Sequence, residues 1–224
     1  MNALDAYRDV LKELDKFESP TFSLKDFNYF YNKAISQYVD NNYRQLDLVV
    51  KDTEDLASFT SPSYLTTVSS VGVITLPSDF RHLLSLKISV RFKTNVGKYK
   101  SGVTYDFWPE RMKSGQKGFR YRSAYGKPNY RRYYYEVNNG TIKILFDSSK
   151  VEFVGSNNAV IDYITQPSEV TITNLTTYTN PLQFNTGVTR NNIYYEIVNI
   201  CRAIFLENIE SARTPIAMQE AASQ

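Results

Sequence analysis

His82-Leu83-Leu84-Ser85-Leu86-Lys87-Ile88-Ser89-Val90-Arg91-Phe92 alternates apolar and polar residues over most of its length. Successive side chains of an extended chain point to opposite faces, so this period of two marks a half-buried β-strand, with Leu84, Leu86, Ile88 and Val90 expected inward. Neighbouring segments read the same way: Tyr64 to Ser69 and Val73 to Leu76 before it, and Val103 to Trp108 after it. Tyr130 to Val137 and Thr141 to Phe146 flank Asn138-Asn139-Gly140, an Asn-Gly step that supplies the positive φ values of a tight hairpin turn. Ala159 to Thr165 is a further strand, closed by Gln166-Pro167.

Outside this region the period changes to that of a helix. Leu4, Tyr7, Leu11, Leu14 and Phe17 draw one stripe along a first helix that is expected to end near Glu18, before Ser19-Pro20. Ser23 stands three residues before Asp26, a capping box with Asp in place of Glu, and a second helix follows with Phe27, Phe30, Tyr31, Ala34, Tyr38 and Leu46 inward. Near the other end Ile193, Ile197, Ile200, Ile204, Phe205 and Ile209 share a face, with Thr189 or Asn191 as the cap and Pro215 as the stop. The expected fold is therefore α+β, with N- and C-terminal helices forming a bundle around an inserted, mainly antiparallel β region. Its parts are a helical hairpin at 1–50, a β region at 63–168, a C-terminal helix at 188–213 and a flexible tail at 214–224. Within the β region, 109–128 is too poor in aliphatic residues to pack and reads as a long exposed loop, a kind of segment that usually carries function.

The chain has 224 residues, 42% of them hydrophobic, enough to fill a core without covalent staples. Cys201 alone cannot form an internal disulfide, and one His with no Cys pair offers no structural zinc spacing. No apolar run approaches the roughly 20 residues of a membrane span, and the acidic, amphipathic start does not resemble a secretory signal, so a protein made in a cytoplasm is expected. The sequons at Asn139 and Asn174 accordingly read as turn chemistry. Eighteen Tyr outnumber 13 Phe, and rings with a polar tip suit surfaces buried against a partner.

Enzymatic constellations are not expected. His82 lies inside the apolar strand and Cys201 on the apolar flank of the last helix, both read as packing residues. Asp52, Glu54 and Asp55 lack the alternating acids and Gly of a calcium loop, and Ser114-Gly115-Gln116-Lys117-Gly118 follows no strand-to-helix pattern that cradles a phosphate. No cofactor is implied. The net charge of +3 is unevenly distributed: Phe80 to Tyr135 holds 14 Lys and Arg against Asp106 and Glu110. Within it Arg111, Lys113, Lys117, Arg120, Arg122, Lys127, Arg131 and Arg132 interleave with Phe119, Tyr121, Tyr125, Tyr130 and Tyr133. Cations with flat rings suit either an acidic neighbouring subunit or nucleic acid, single-stranded or duplex, and a basic patch also serves plain solubility.

The order of short motifs resembles the head-to-tail adaptor proteins of short-tailed bacteriophages, of the tail tubular protein A type. The matching residues are the paired first helices, Leu76-Pro77-Ser78-Asp79-Phe80, Gly126-Lys127-Pro128, Tyr133-Tyr134-Tyr135 and Ile142 to Phe146. Val160-Ile161-Asp162-Tyr163 before Gln166-Pro167, and Tyr194-Tyr195-Glu196-Ile197-Val198, complete the set. In that family a Leu-Pro-x-Asp-Phe step opens the β region and a Tyr-x-x-x-Pro step closes it. The long basic loop and a last helix not rich in small residues depart from the pattern. The resemblance, from Leu4 to about Arg213, implies a virion protein of the head-tail connector. It would form a ring, commonly of about twelve copies, that binds a portal protein and other tail proteins and passes genome DNA through its lumen with weak contact. It also implies that Thr214, Pro215, Ile216 and Met218 in the tail dock on the portal.

Overall fold

The computed structural model describes residues 3–15, 22–48, 53–123, 126–173, 178–179 and 188–221. The chain is a mixed α+β protein and divides into two compact units, one from residues 1–59 and 166–224 and the other from 60–165.

In the first unit, helix α1 spans Ala3–Asp15 and α2 spans Leu24–Leu48. The capping box forms as read: the Ser23 hydroxyl accepts from the Asp26 N–H at 3.1 Å, and the Asp26 carboxylate accepts from the Ser23 N–H at 3.1 Å. Two donors that the first turn leaves without helical partners are thereby satisfied. The buried line of α1 is Ala3, Ala6, Val10 and Leu14, with Leu4, Tyr7 and Leu11 on its shoulder. Two of these four are alanines, which carry little weight in a pattern scored on large apolar residues. On α2 Phe27, Phe30, Tyr31, Ala34 and Tyr38 are buried as expected, and Ile35 and Val39 join them.

A 3-10 turn at Thr53–Phe59 follows, with the Phe59 ring 6.4 Å from that of Tyr38. A short antiparallel pair, β10 (Thr171–Ile172) and β11 (Tyr178–Thr179), precedes α4, Val188–Ala221. Strands β1 to β9 belong to the second unit. Helix α4 packs on both N-terminal helices: Phe205 meets Phe22 at 4.5 Å and Phe30 at 5.3 Å, and the Tyr194 hydroxyl donates to Asp9 at 2.8 Å. The α4 helix differs from expectation at both ends. Thr189 and Asn191 lie inside the first turn rather than capping it, and the helix continues through Pro215, the expected stop, to Ala221. A proline removes one helical hydrogen bond and crowds the preceding turn, a local cost that the chain absorbs here without ending the helix.

Asn28 and Asn32, one turn apart on α2, fix the returning chain. Asn28 donates to Ile172 O at 3.0 Å and accepts from Ile172 N at 2.8 Å, and Asn32 does the same with Val170 at 2.8 Å each way. Each amide thus imitates one residue of a neighbouring strand on the side of the returning segment that faces α2.

The second unit contains two sheets. One has the order β1-β9-β3-β4, with β8 also on β3; the other runs β2-β7-β6-β5. The strands are β1 Thr60–Thr66, β2 Val73–Thr75, β3 Phe80–Phe92, β4 Thr104–Phe107, β5 Glu110–Arg111, β6 Tyr134–Asn138, β7 Thr141–Leu145, β8 Val151–Glu152 and β9 Ala159–Thr165. All pairings are antiparallel except β5 with β6. The entering strand β1 lies beside the leaving strand β9, with Thr60 opposite Ile164. Leu86, Ile88, Val90 and Phe92 of β3 join Ile74, Ile142, Ile144 and Ile161 in one core drawn from both sheets.

Leu84 is not part of that inward face. The ladder of β3 against β9 slips between Leu83 and Ser85, so Leu84 is an unpaired bulge residue and Leu83 takes the buried side. One extra residue reverses the alternation before it, which simple period-two counting carries through uncorrected. On the opposite face of β3, Ser85 donates to Asp162, Ser89 to Asp106 at 2.6 Å, and Arg91 to Glu152 at 2.7 Å. The β6–β7 hairpin turns at Asn139-Gly140 as expected, yet only Gly140 has positive φ (73°), and β6 begins at Tyr134 rather than Tyr130. Gly72 has φ of 81°, and a Cβ there would meet Ile144 O at 2.7 Å and the Phe146 ring at 2.8 Å, so glycine is required at that turn.

Several sequence expectations fall outside the described residues: Phe17 and the end of the first helix at Glu18, the Leu46, Tyr121 and Tyr125 side chains, the acidic side chains at 52–55, the Asn174 sequon, and the side chains of Thr214, Pro215, Ile216 and Met218.

Candidate functional site

The segment 109–128 is not a plain loop. Pro109 is buried, and Met112, at 4% exposure, packs with Tyr134 and Leu145 in a small satellite core. Between them β5 lies parallel to β6, the Glu110 N–H donating to Tyr133 O and the Met112 N–H to Tyr135 O, both at 2.9 Å. A 3-10 turn, Ser114–Gln116, leads into a short helix α3, Lys117–Arg122. Sequence reading missed this anchorage because two apolar residues among many polar ones make no period. Gly126 sits against the back of α3, where a Cβ would stand 3.0 Å from Arg120 O, and its N–H reaches Ser123 O at 3.2 Å.

This framework sorts the eight candidate cations into three settings. Lys117 pairs with Glu136 at 3.0 Å, and Arg120 pairs with Glu110 at 3.3 Å while lying over the Tyr134 ring, 4.7 Å from its centroid. Arg131 lies over the Tyr130 ring at 5.1 Å, beside Arg132 in a turn whose N–H groups donate to the Asn129 side-chain oxygen at 2.8 and 3.1 Å. Arg111, Lys113, Arg122 and Lys127 are exposed and form no side-chain ion pair among the described residues. Partial pairing of this kind contributes little stability at a surface, typically about 0–1 kcal/mol per pair, but it fixes where the remaining positive charge points.

The rings divide as well. Tyr133 is buried in the core, its ring 4.6 Å from Phe107, and burial raises its phenol above the ordinary value. Tyr130 is half-buried, 6.3 Å from Tyr99, which in turn stacks on Phe92 at 4.6 Å. These two residues belong to packing rather than to an exposed stacking surface. Phe119 is 79% exposed and Trp108 69%. An open cleft of about 450 Å3 lies here, lined by Glu110, Phe119, Arg120, Ser123, Arg132 and Tyr134. Counted over residues 60–165, sixteen Lys and Arg stand against seven Asp and Glu, a net +9; the rest of the chain carries −6.

His82 is half-buried on β3 opposite Ile164. Cys201 is fully buried on α4, and burial pushes its thiol up to about 12, leaving it protonated and unreactive at neutral pH. Among the described residues no group of three His, Cys, Asp or Glu stands close enough to hold a metal ion, and no helix is long and apolar enough to cross a membrane.

The fold and site define a two-unit α+β protein whose β unit is strongly basic and presents an aromatic cleft. Compared with known proteins, the chain matches no family model and no curated protein sequence.

Proposed function

We propose that this protein is a non-enzymatic subunit of the ring that joins the portal to the tail in a tailed bacteriophage virion. The observation that carries the reading is the convergence of the motifs that prompted it. Asp79 of Leu76-Pro77-Ser78-Asp79-Phe80 accepts a hydrogen bond from the Tyr163 hydroxyl at 3.1 Å, and Phe80 lies 5.7 Å from that ring. The step that opens the β unit and the step that closes it are thus joined by side chains in this chain. Helices from both chain ends pack on one another, as a bundle that carries an inserted β unit requires. The charge division of +9 against −6 favours head-to-tail contact between copies, the heterologous kind that closes into a ring.

In this reading the helices form a bundle that contacts the portal and adjacent subunits, and the last turns of α4, with Thr214, Pro215, Ile216 and Met218, dock on the portal. The β unit meets the next tail component, and genome DNA passes the lumen with weak phosphate contact, since tight contact would stall ejection. The chemistry is all interface. Native mass spectrometry of the purified chain, alone and mixed with candidate portals, tests it: a monomer that titrates into a ring of about twelve copies on a portal is expected. A chain that no portal retains, and whose density is missing from virion tails by cryo-electron microscopy, refutes it.

A further inference from the structure

We propose that the cleft beside α3 takes one unpaired base of a single-stranded nucleic acid, while the exposed cations around it hold the phosphates of the flanking strand. The floor and the rim of the cleft differ in charge, and that difference selects the ligand. The lining holds one carboxylate, Glu110, and two guanidinium groups, Arg120 and Arg132; Arg120 is already matched by Glu110 at 3.3 Å and by the face of Tyr134 at 4.7 Å, so much of the charge inside is compensated. On the surrounding surface, Arg111, Lys113, Arg122 and Lys127 are exposed and unmatched by side-chain ion pairs among the described residues. A ring-bearing slot whose charge is partly compensated, set in a more positive surface, suits a flat heterocycle attached to a polyanion. At about 450 Å3 the cleft lies within the usual range of small-ligand pockets.

The rings supply stacking surface. Phe119 is 79% exposed, a large apolar face that no described residue covers. Bases stack on such faces and on guanidinium planes alike, and Arg120 provides the latter. Glu110 then distinguishes between possible ligands. Its carboxylate, 69% exposed at the cleft, can accept a hydrogen bond from the exocyclic amino group of adenine, cytosine or guanine, which thymine and uracil lack. An acidic peptide seated in the same place would set its carboxylates against Glu110, which disfavours it. A duplex keeps its bases paired and stacked, and extruding one costs free energy that a single strand does not spend.

The test is fluorescence anisotropy of the full chain with labelled oligo(dA), oligo(dC), oligo(dT) and oligo(A) RNA of about 12 residues, beside a duplex and an oligoglutamate of equal length. Oligo(dA) and oligo(dC) are expected to bind best at about 50 mM salt and to weaken steeply by about 200 mM, with oligo(dT) and the duplex several-fold weaker. RNA that binds as well as DNA assigns the recognition to base and phosphate, and both results support the cleft. Phe119→Ala is expected to weaken oligo(dA) about 10-fold, while the double change Lys113→Gln, Arg122→Gln weakens every oligonucleotide alike and flattens the salt slope. A central 2-aminopurine, quenched on binding to the unsubstituted chain, reports stacking without any variant. Equal binding of duplex and single strand with no quenching, no binding at low salt, or displacement of oligo(dA) by oligoglutamate at equal concentration each overturns the proposal. It does not rest on the ring reading: a chain that binds these strands but never joins a portal loses only that reading.

Discussion

Asn158 is the one buried polar side chain among the described residues, at 5% exposure, and its amide closes the connection between β1 and β2. Its oxygen accepts from Val68 N at 2.6 Å, and its NH2 group reaches Gly155 O at 3.2 Å and Val68 O at 3.4 Å. Asn158→Ala leaves the Val68 N–H without that acceptor and the two carbonyls without that donor. The buried Val68 N–H left unpaired costs about 1–3 kcal/mol, the exposed Gly155 carbonyl turns to water, and the void left by the amide adds to the cost, so a loss of about 3 kcal/mol is expected. In urea, with a slope of roughly 2 kcal/mol per M, that shifts the midpoint down by about 1.5 M with the slope unchanged. Hydrogen exchange localises the effect: peptides spanning 66–74 should lose protection, whereas Ser89, whose N–H donates to the retained Asn158 backbone carbonyl at 2.8 Å, should keep it. A midpoint shift below about 0.3 M would falsify the reasoning, because it would mean water or rearrangement satisfies those groups at no cost.

The amide clamp on α2 makes a related prediction. Asn32→Ala should lower stability by about 1–3 kcal/mol, and Asn32→Asp, which keeps the acceptor for Val170 N but loses the donor to its carbonyl, should fall between; equal melting temperatures for all three proteins contradict it. Stability should also fall on the alkaline side. Burial raises the Cys201 thiol from 9.0 to about 12 and raises the Tyr194 phenol, which also donates to Asp9, above its ordinary 10.0. Both groups are neutral when protonated, so their contribution is complete below pH 9 and is lost as pH climbs toward the folded values, by about 1.4 kcal/mol per unit for each titrating group. Chemical denaturation from pH 8 to 11 checks this, and Cys201→Ala should flatten the slope that begins near pH 9; a stability curve level across that range disagrees.

Much of the fold was legible because local signals and tertiary packing agree in it. The Ser23–Asp26 box, the Asn139-Gly140 hairpin and the apolar alternation from Leu86 to Phe92 each follow from a short stretch of residues. What failed depended on partners distant in the chain. The bulge at Leu84 is set by the register against β9, and the buried line of α1 runs through Ala3 and Ala6, whose burial depends on the rest of the unit. At the site, the cations and their interleaved rings were visible as composition. Which of them would be consumed internally was not: Glu110 and Glu136 neutralise Arg120 and Lys117 only because β5 and β6 lie side by side. Tyr133 is a core residue, and the sequence left stacking and burial open for it, since nothing in Tyr133-Tyr134-Tyr135 says which of three like residues turns inward.

The pairing of β1 with β9 has a consequence for how such a chain can change over generations. Thr60 faces Ile164, so residues 60–165 leave and rejoin the rest of the chain at two neighbouring points. A segment with adjoining ends behaves as a cassette: another piece with the same spacing at its ends can replace it without stretching the flanking helices, and it can itself be moved into a foreign host loop. The basic β unit and its cleft are thereby free to be exchanged as one block, while the helical unit keeps its own packing and its own pace of substitution.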